Sequence, residues 1–220
     1  VEDPVEYQLE GINQVSIRED IGLTFANSLR SILRQDPDTI MVGEIRDFET
    51  VDIAIKSALT GHRVLSTLHT TTAPGSIVRL INMGVEPFLI SSSIVCILAQ
   101  RLVRKICNYC KQSYELSETV ASKLGLPTRD KIVFYKGKGC AKCLKAGYAG
   151  RTVISEVLVL TTKIKEMILE RAQEYKIKNM ARLEGMKTLR DDGIIKCFKG
   201  ETTLEEVVRV TAPDEPLEKQ

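Results

Sequence analysis

Two groups of residues carry the chemistry this chain could perform, a carboxylate and histidine set within the first 70 positions and four cysteines further on. The segment Arg34-Gln-Asp-Pro-Asp-Thr-Ile-Met-Val-Gly-Glu44-Ile-Arg-Asp47 sets an apolar run, Thr39 to Val42, directly before a glycine and an acid. A buried strand of this kind is a rigid base that projects a carboxylate from its C-terminal end, where α/β proteins hold phosphates and Mg2+. Glu44 is therefore the candidate to orient an attacking water, although an ordinary strand-end glutamate shows the same local pattern. A second run, Val64-Leu-Ser-Thr-Leu-His69-Thr-Thr, follows the turn Thr60-Gly-His62 and ends in a histidine among hydroxyls. Alone, such a histidine reads as a structural hydrogen-bonder. Beside an acid-ended strand it suggests one crevice at the carboxyl edge of a sheet.

Cys107-Asn-Tyr-Cys110 and Cys140-Ala-Lys-Cys143 are two C-x-x-C pairs. Each can form a knuckle with two thiolates aimed at one metal, and two knuckles complete the tetrahedral tetracysteine shell of a closed structural Zn2+ site. Three disulfides are the alternative use of six cysteines, disfavoured by the reducing compartment expected below. Cys96 and Cys197 stand outside the pairs. Residues 94–98 read as an apolar helix face with Cys96 as core.

The elements that must position these groups divide the chain into three. Residues 1–104 alternate short β-branched runs (39–42, 63–68) with helical stretches (23–34, 48–59), the signature of α/β layering. Asp47 is placed to cap the second helix. Residues 105–151 change in texture to Cys, Gly, Lys and Tyr, with a short helix at 118–124 and a strand at 131–135, as in a small inserted module. In residues 152–220 helical periodicity returns at 164–172, 177–183 and 204–210. Thr203 and Glu206 fit a capping box, and the tail 212–220 reads as frayed.

Composition narrows the function further. The 220 residues are 43% hydrophobic and 27% charged, enough for a sizeable core. Thirty-one Lys and Arg against twenty-nine Asp and Glu leave +2, without the cationic excess of a general nucleic-acid binder. The most apolar stretch, 88–103, is broken by Ser91, Ser92, Ser93, Gln100 and Arg101, short of the roughly 20 residues that cross a bilayer. No secretory signal is visible. A cytoplasmic protein is expected, and an opening without Met suggests a piece of something longer.

In order along the chain, EDPVEY, LRSILRQDPDTIMVGEIRD, TGHRVLSTLHT, QRLVRKICNYC, GCAKC and GYAGR resemble the secretion ATPase superfamily of type II secretion and type IV pilus assembly. GMKTLRDDGIIKCFKGETTLEEVVRVT is similar to that family's helical end. The resemblance implies an α/β fold: a partial RecA-like ATPase domain, a small tetracysteine zinc module and a C-terminal helical subdomain. It implies a homo-hexamer that hydrolyses ATP with Mg2+ and extends a pilus or a secretion pseudopilus. The implied partners are an inner-membrane platform protein and a cytoplasmic adaptor, with no nucleic acid. The implied location is cytoplasmic, peripheral to the inner membrane through those partners.

Carried over by position, Glu2 matches the acid of the family's Asp box, Glu44 its Walker B glutamate, and His62 and His69 its His box. Arg30 and Arg34, four apart and so on one helical face, match arginines that approach a neighbouring subunit's nucleotide; a solvated basic face is their other reading. Arg18 and Arg101 are weaker matches at the same interface. The zinc module built on Cys107, Cys110, Cys140 and Cys143 agrees with the family, and it favours the assembly ATPases over the retraction ones. One departure is large: G-x-x-x-x-G-K-[ST] occurs nowhere in the sequence, so the amide cradle and lysine that hold β and γ phosphates are missing. A zinc-binding assembly module without catalysis of its own is the alternative function.

Overall fold

A computed structural model describes residues 1–123 and 132–214. Its mixed α/β elements run in the order α1 Phe25–Ile32, β1 Thr39–Val42, α2 Phe48–Leu59, β2 Arg63–Ser66, α3 Ala73–Asn82, α4 Pro87–Ser93, β3 Cys96–Ile106, β4 Lys111–Glu115, α5 Glu118–Lys123, β5 Val133–Gly137, β6 Tyr148–Val159, α6 Thr162–Leu169, α7 Glu174–Leu183, α8 Leu189–Phe198 and α9 Leu204–Val210. By packing they form two compact units, one of Val1–Ile97 with Val159–Ala181, the other of Leu98–Leu158 with Arg182–Gln220.

In the first unit β1 and β2 pair in parallel, Thr39 opposite Arg63 and Val42 opposite Ser66, with α2 as the crossover. Alternation sends Ile40 and Val42 into the core and leaves Met41 exposed. The strand at Thr39–Val42 and the helix at Phe48–Leu59 have the expected bounds. Asp47 caps α2 as expected, accepting from the Thr50 amide at 2.7 Å. The expected helix over 23–34 is shorter: Thr24 caps α1, which ends at Ile32 and passes into a 3-10 turn at Leu33–Gln35. Thr72 caps α3, with Pro in its first turn, and α4 packs against α6.

In the second unit β3 pairs with β6, and β4 pairs antiparallel with β5, Lys111 opposite Gly137. One core gathers Ala121, Ile132, Phe134, Ile194, Cys197 and Val207, and a second joins Val103, Ile154 and Leu189. The first of these ties the segment between the cysteine pairs to α8 and α9. Gly137 is required here, because a Cβ would collide with the Gly147 carbonyl.

Several expectations are corrected. Residues 94–98 are not a helix, and Cys96 is exposed at the start of β3. Helix α4 stops at Ser93, where the Ser91 and Ser93 hydroxyls donate to the Phe88 and Leu89 carbonyls, and serines compete with helix continuation in this way. Ala99 and Val103 then point inward while Leu98, Gln100 and Leu102 point out, in a strand's rhythm. At α9 only half the capping box is made: Thr203 accepts from the Glu206 amide, but the Glu206 carboxylate is taken by Arg104 and Arg209. The reciprocal box lies at Thr188 and Asp191 instead. Within the expected frayed tail, Asp214 is held by the Thr188 hydroxyl at 2.6 Å. Positions 124, 131 and 215–220 lie outside the described residues.

Candidate active site and metal centre

Past β1 and β2 the two chains stay joined, the Ile45 amide donating to the Thr67 carbonyl at 3.0 Å and the Thr67 hydroxyl to the Gly43 carbonyl at 2.5 Å. This pairing brings Glu44 and His69 together at the carboxyl edge of the sheet. His69 Nε2 donates to a Glu44 oxygen at 2.9 Å, and Arg46 donates to the other oxygen at 2.5 Å. Those two hydrogen bonds, Arg46 first, hold Glu44 below the usual carboxylate range. Glu44 is thus an ionised acceptor. Its side chain is 16% exposed and that of His69 83%, so the carboxylate is largely covered while the imidazole faces solvent.

Arg46 also reaches Asp3 at 3.3 Å. The opening residues lie along β1, the Val1 nitrogen donating to the Met41 carbonyl and the Gly43 amide to the Val1 carbonyl, both at 2.8 Å. Gly43 permits this approach, because a Cβ there would sit 3.0 Å from the Val1 carbonyl oxygen and 3.3 Å from the Glu2 Cα. Glu2 is therefore next to Glu44 by backbone, but its carboxylate accepts from Gln14 at 2.8 Å. Asp3 is the acid joined to the Glu44 set. Asp3 and Arg46 are absent from the expected site, although the i, i+2 spacing of Glu44 and Arg46 past a strand would have been the signal.

The other expected residues fall elsewhere. His62 is at the far end of β2, its Nδ1 3.0 Å from the Ser57 carbonyl at the end of α2. A strand of four residues, about 3.3 Å each, separates it from the Glu44 edge. Arg30, in the last turn of α1, is paired with Glu49 at 2.6 Å. Arg34 lies in the 3-10 turn after α1, so the α-helical face expected to carry both arginines is broken between them. Arg34 is exposed and makes no side-chain hydrogen bond or ion pair among the described residues. Arg18 is paired with Asp20 at 3.4 Å. Arg101 lies on β3 in the second unit and donates to the Gln100 carbonyl.

The cysteines of the second unit converge as expected. The Sγ atoms of Cys107, Cys110, Cys140 and Cys143 all lie within 4.8 Å of one another, with pairs at 3.7 and 3.9 Å. Ligands at roughly 2.3 Å in a tetrahedron stand about 3.8 Å apart, so the set fits Zn2+. Disulfides, at about 2.05 Å, are not formed. The Cys140 and Gly147 amides donate to Cys143 at 3.2 and 3.3 Å, and these amides draw its thiol down to about 6. Burial pushes Cys110 up to about 11.

The model of the type II/IV secretion system protein family matches residues 1–209. The chain belongs to this family. Over 97% of its length it is 52% identical to the type IV pilus assembly ATPase PilB of Myxococcus xanthus, and over 96% it is 49% identical to the type II secretion system protein E of Pseudomonas aeruginosa. It spans only 38% and 42% of those two proteins. Among solved structures it resembles the ATPase DotB of Legionella pneumophila, with a TM-score of 0.64 at 21% identity over 94% of this chain and 49% of that one. At that identity the likeness supports the fold alone. The family member therefore carries an acid and histidine pair at a parallel sheet edge and a separate cluster of four cysteines.

Proposed function

We propose that the chain is part of an ATP-hydrolysing motor, assembled as a homo-hexamer, that powers type IV pilus assembly or extension of a type II secretion pseudopilus. The Glu44–His69 pair carries this reading, in a family whose members include a named pilus assembly ATPase. Near-equal identity to a pilus relative and a secretion relative supports the shared motor rather than either track. In functional terms, residues 1–104 supply the RecA-like core, 105–151 the zinc module and 152–220 a part that is helical after the end of β6 and whose residues 159–181 pack with the first unit.

The ionised Glu44 accepts from a water and turns its lone pair toward the γ phosphate, which requires a carboxylate fixed in direction. His69, hydrogen-bonded to it and open to solvent, holds the carboxylate in direction beside the γ phosphoryl group. Arg46 ties Glu44 to Asp3, so the acids of both segments move as one. Glu2, Asp3 and Glu44 are the acids that would hold the water shell of an Mg2+ ion carried with ATP, which would neutralise phosphate charge. Cys107, Cys110, Cys140 and Cys143 would hold Zn2+ in a closed shell, where it would contribute folding free energy rather than catalysis. Arg34, unpaired within the described chain, is suited to reach a neighbouring subunit's nucleotide; Arg30 would first leave Glu49, and Arg18 and Arg101 would support the same interface. The motor acts on the cytoplasmic side of the inner membrane through a platform protein and an adaptor. No helix among the described residues is long and apolar enough to cross a membrane.

The tetracysteine cluster supports a second reading, a zinc-binding assembly module without its own catalysis. On either reading the 220-residue chain alone should hydrolyse little ATP. Mixed assemblies of the whole protein separate the two. Arg34→Ala and Glu44→Gln subunits, each inactive alone, should recover part of the activity once they exchange, since some interfaces pair an intact Glu44 with a neighbour's intact Arg34. Exchange without recovery removes the trans role, and turnover unaffected by either change removes the motor reading of this chain.

A further inference from the structure

We propose that the tip of the tetracysteine module is a binding surface for anionic phospholipid bilayers. The inference is independent of the motor reading and begins with a leucine that local forces do not explain. Leu144, directly after Cys143, is 90% exposed and has φ +50°. Left-handed backbone favours glycine or asparagine over a branched side chain, and exposure of a lone leucine returns nothing to the fold. Tyr109, directly before Cys110, is 77% exposed. The sulfurs of Cys110 and Cys143 are 3.9 Å apart. Each knuckle therefore exposes an apolar-bodied side chain next to one of these two neighbouring cysteines.

Charge gathers at the same place. Within two residues of the four cysteines the sequence has five Lys and no Arg, Asp or Glu, although the whole chain has 31 Lys and Arg against 29 Asp and Glu. Their excess of five still leaves three after the two negative charges of a zinc tetrathiolate centre are counted. Lys138, Lys142 and Lys145 lie within two residues of a cysteine ligand and are exposed, and their side chains have no hydrogen-bond or ion-pair partner among the described residues. An unpaired cluster of like charge calls for an anionic partner.

The residue types choose between partners. Specific protein interfaces enrich Arg and deplete Lys, whereas all five cations beside the cysteines are Lys. Nucleic acid would use the cations but gives an exposed leucine no partner. A bilayer surface accepts all three: Tyr at the headgroup level, Leu in the acyl boundary, and flexible lysines at anionic headgroups. Because both side chains are exposed rather than packed into a partner-shaped cleft, a deformable lipid surface suits them.

The test is flotation of the zinc-loaded 220-residue chain with vesicles of phosphatidylcholine alone or mixed with phosphatidylglycerol. Binding is expected only to the mixed vesicles and should weaken as salt rises. Changing Lys138, Lys142 and Lys145 together to Gln should weaken it about a hundredfold, on roughly fivefold per lysine. Leu144→Gly is the sharper variant, because glycine relieves the positive φ. It should retain zinc and melt no lower than the parent while binding vesicles about tenfold more weakly. No binding to mixed vesicles, equal binding to both vesicle types, or binding unchanged in the Leu144→Gly chain overturns the proposal. Tight binding of a DNA oligonucleotide that depends on the lysines and not on Leu144 overturns it in favour of a nucleic-acid surface.

Discussion

His69 donates to Glu44 across 25 positions of sequence, at 2.9 Å, because the two strands that carry them run parallel and continue pairing beyond their ends. A parallel neighbour delivers both C-terminal ends to one edge. That edge is where an acid and an imidazole can share a substrate.

The two histidines of the chain should therefore behave differently. His69→Ala in the whole protein is expected to lower ATP hydrolysis by about 10²-fold or more with an unchanged melting temperature, since the side chain is largely exposed. His62→Ala removes a contact to the end of α2 and should cost roughly 1 kcal/mol of stability with turnover nearly retained. Rates and melting curves of the two variants, measured side by side, check the contrast.

Much of this edge is legible in the sequence, and the reason it is incomplete is specific. β1, α2 and α9 have their expected bounds because apolar runs, cap residues and periodicity all agree there. The four cysteines are legible because their spacing alone builds a knuckle. Asp3 is not, because its link to Glu44 passes through Arg46 and depends on the opening residues lying along β1. Glu2, the more obvious acid by position, is drawn away by Gln14. The strand at 96–106 is read as helix at its start because three serines follow an apolar run, and only burial on alternate residues reveals period two.

Zinc should be found at one ion per chain. Chelation is expected to lower the melting temperature, because metal bound only by the folded state adds its binding free energy to stability. Cys140→Ser should lower both metal content and melting temperature. Elemental analysis with parallel melting curves checks this, and a variant unchanged in both would remove the assignment of the four cysteines as zinc ligands.

Glu206 should make the second unit acid-sensitive. The carboxylate is 1% exposed; burial pushes its pKa up, but hydrogen bonds from Arg209 and from the side chain and amide of Arg104 together outweigh that and bring it to about 2. A folded pKa below the ordinary 4.5 means stability that is fully present above that value and lost as pH falls toward 2. The amount is about 2 kcal/mol, discounted because both arginines are half exposed. Glu206→Gln should start less stable at neutral pH and lose less between about pH 4.5 and 2, as chemical denaturation at several pH values would show.

Glu44 is the residue on which the motor reading rests, and nucleotide binding and turnover by the whole protein, measured together, address it. Glu44→Gln keeps the shape and the His69 and Arg46 neighbours but removes the carboxylate that orients water. Hydrolysis is expected to fall about 10²-fold or more while nucleotide affinity changes by no more than a few fold. Hydrolysis at the unaltered rate in Glu44→Gln, with binding intact, would contradict the assignment of this edge as the hydrolytic site.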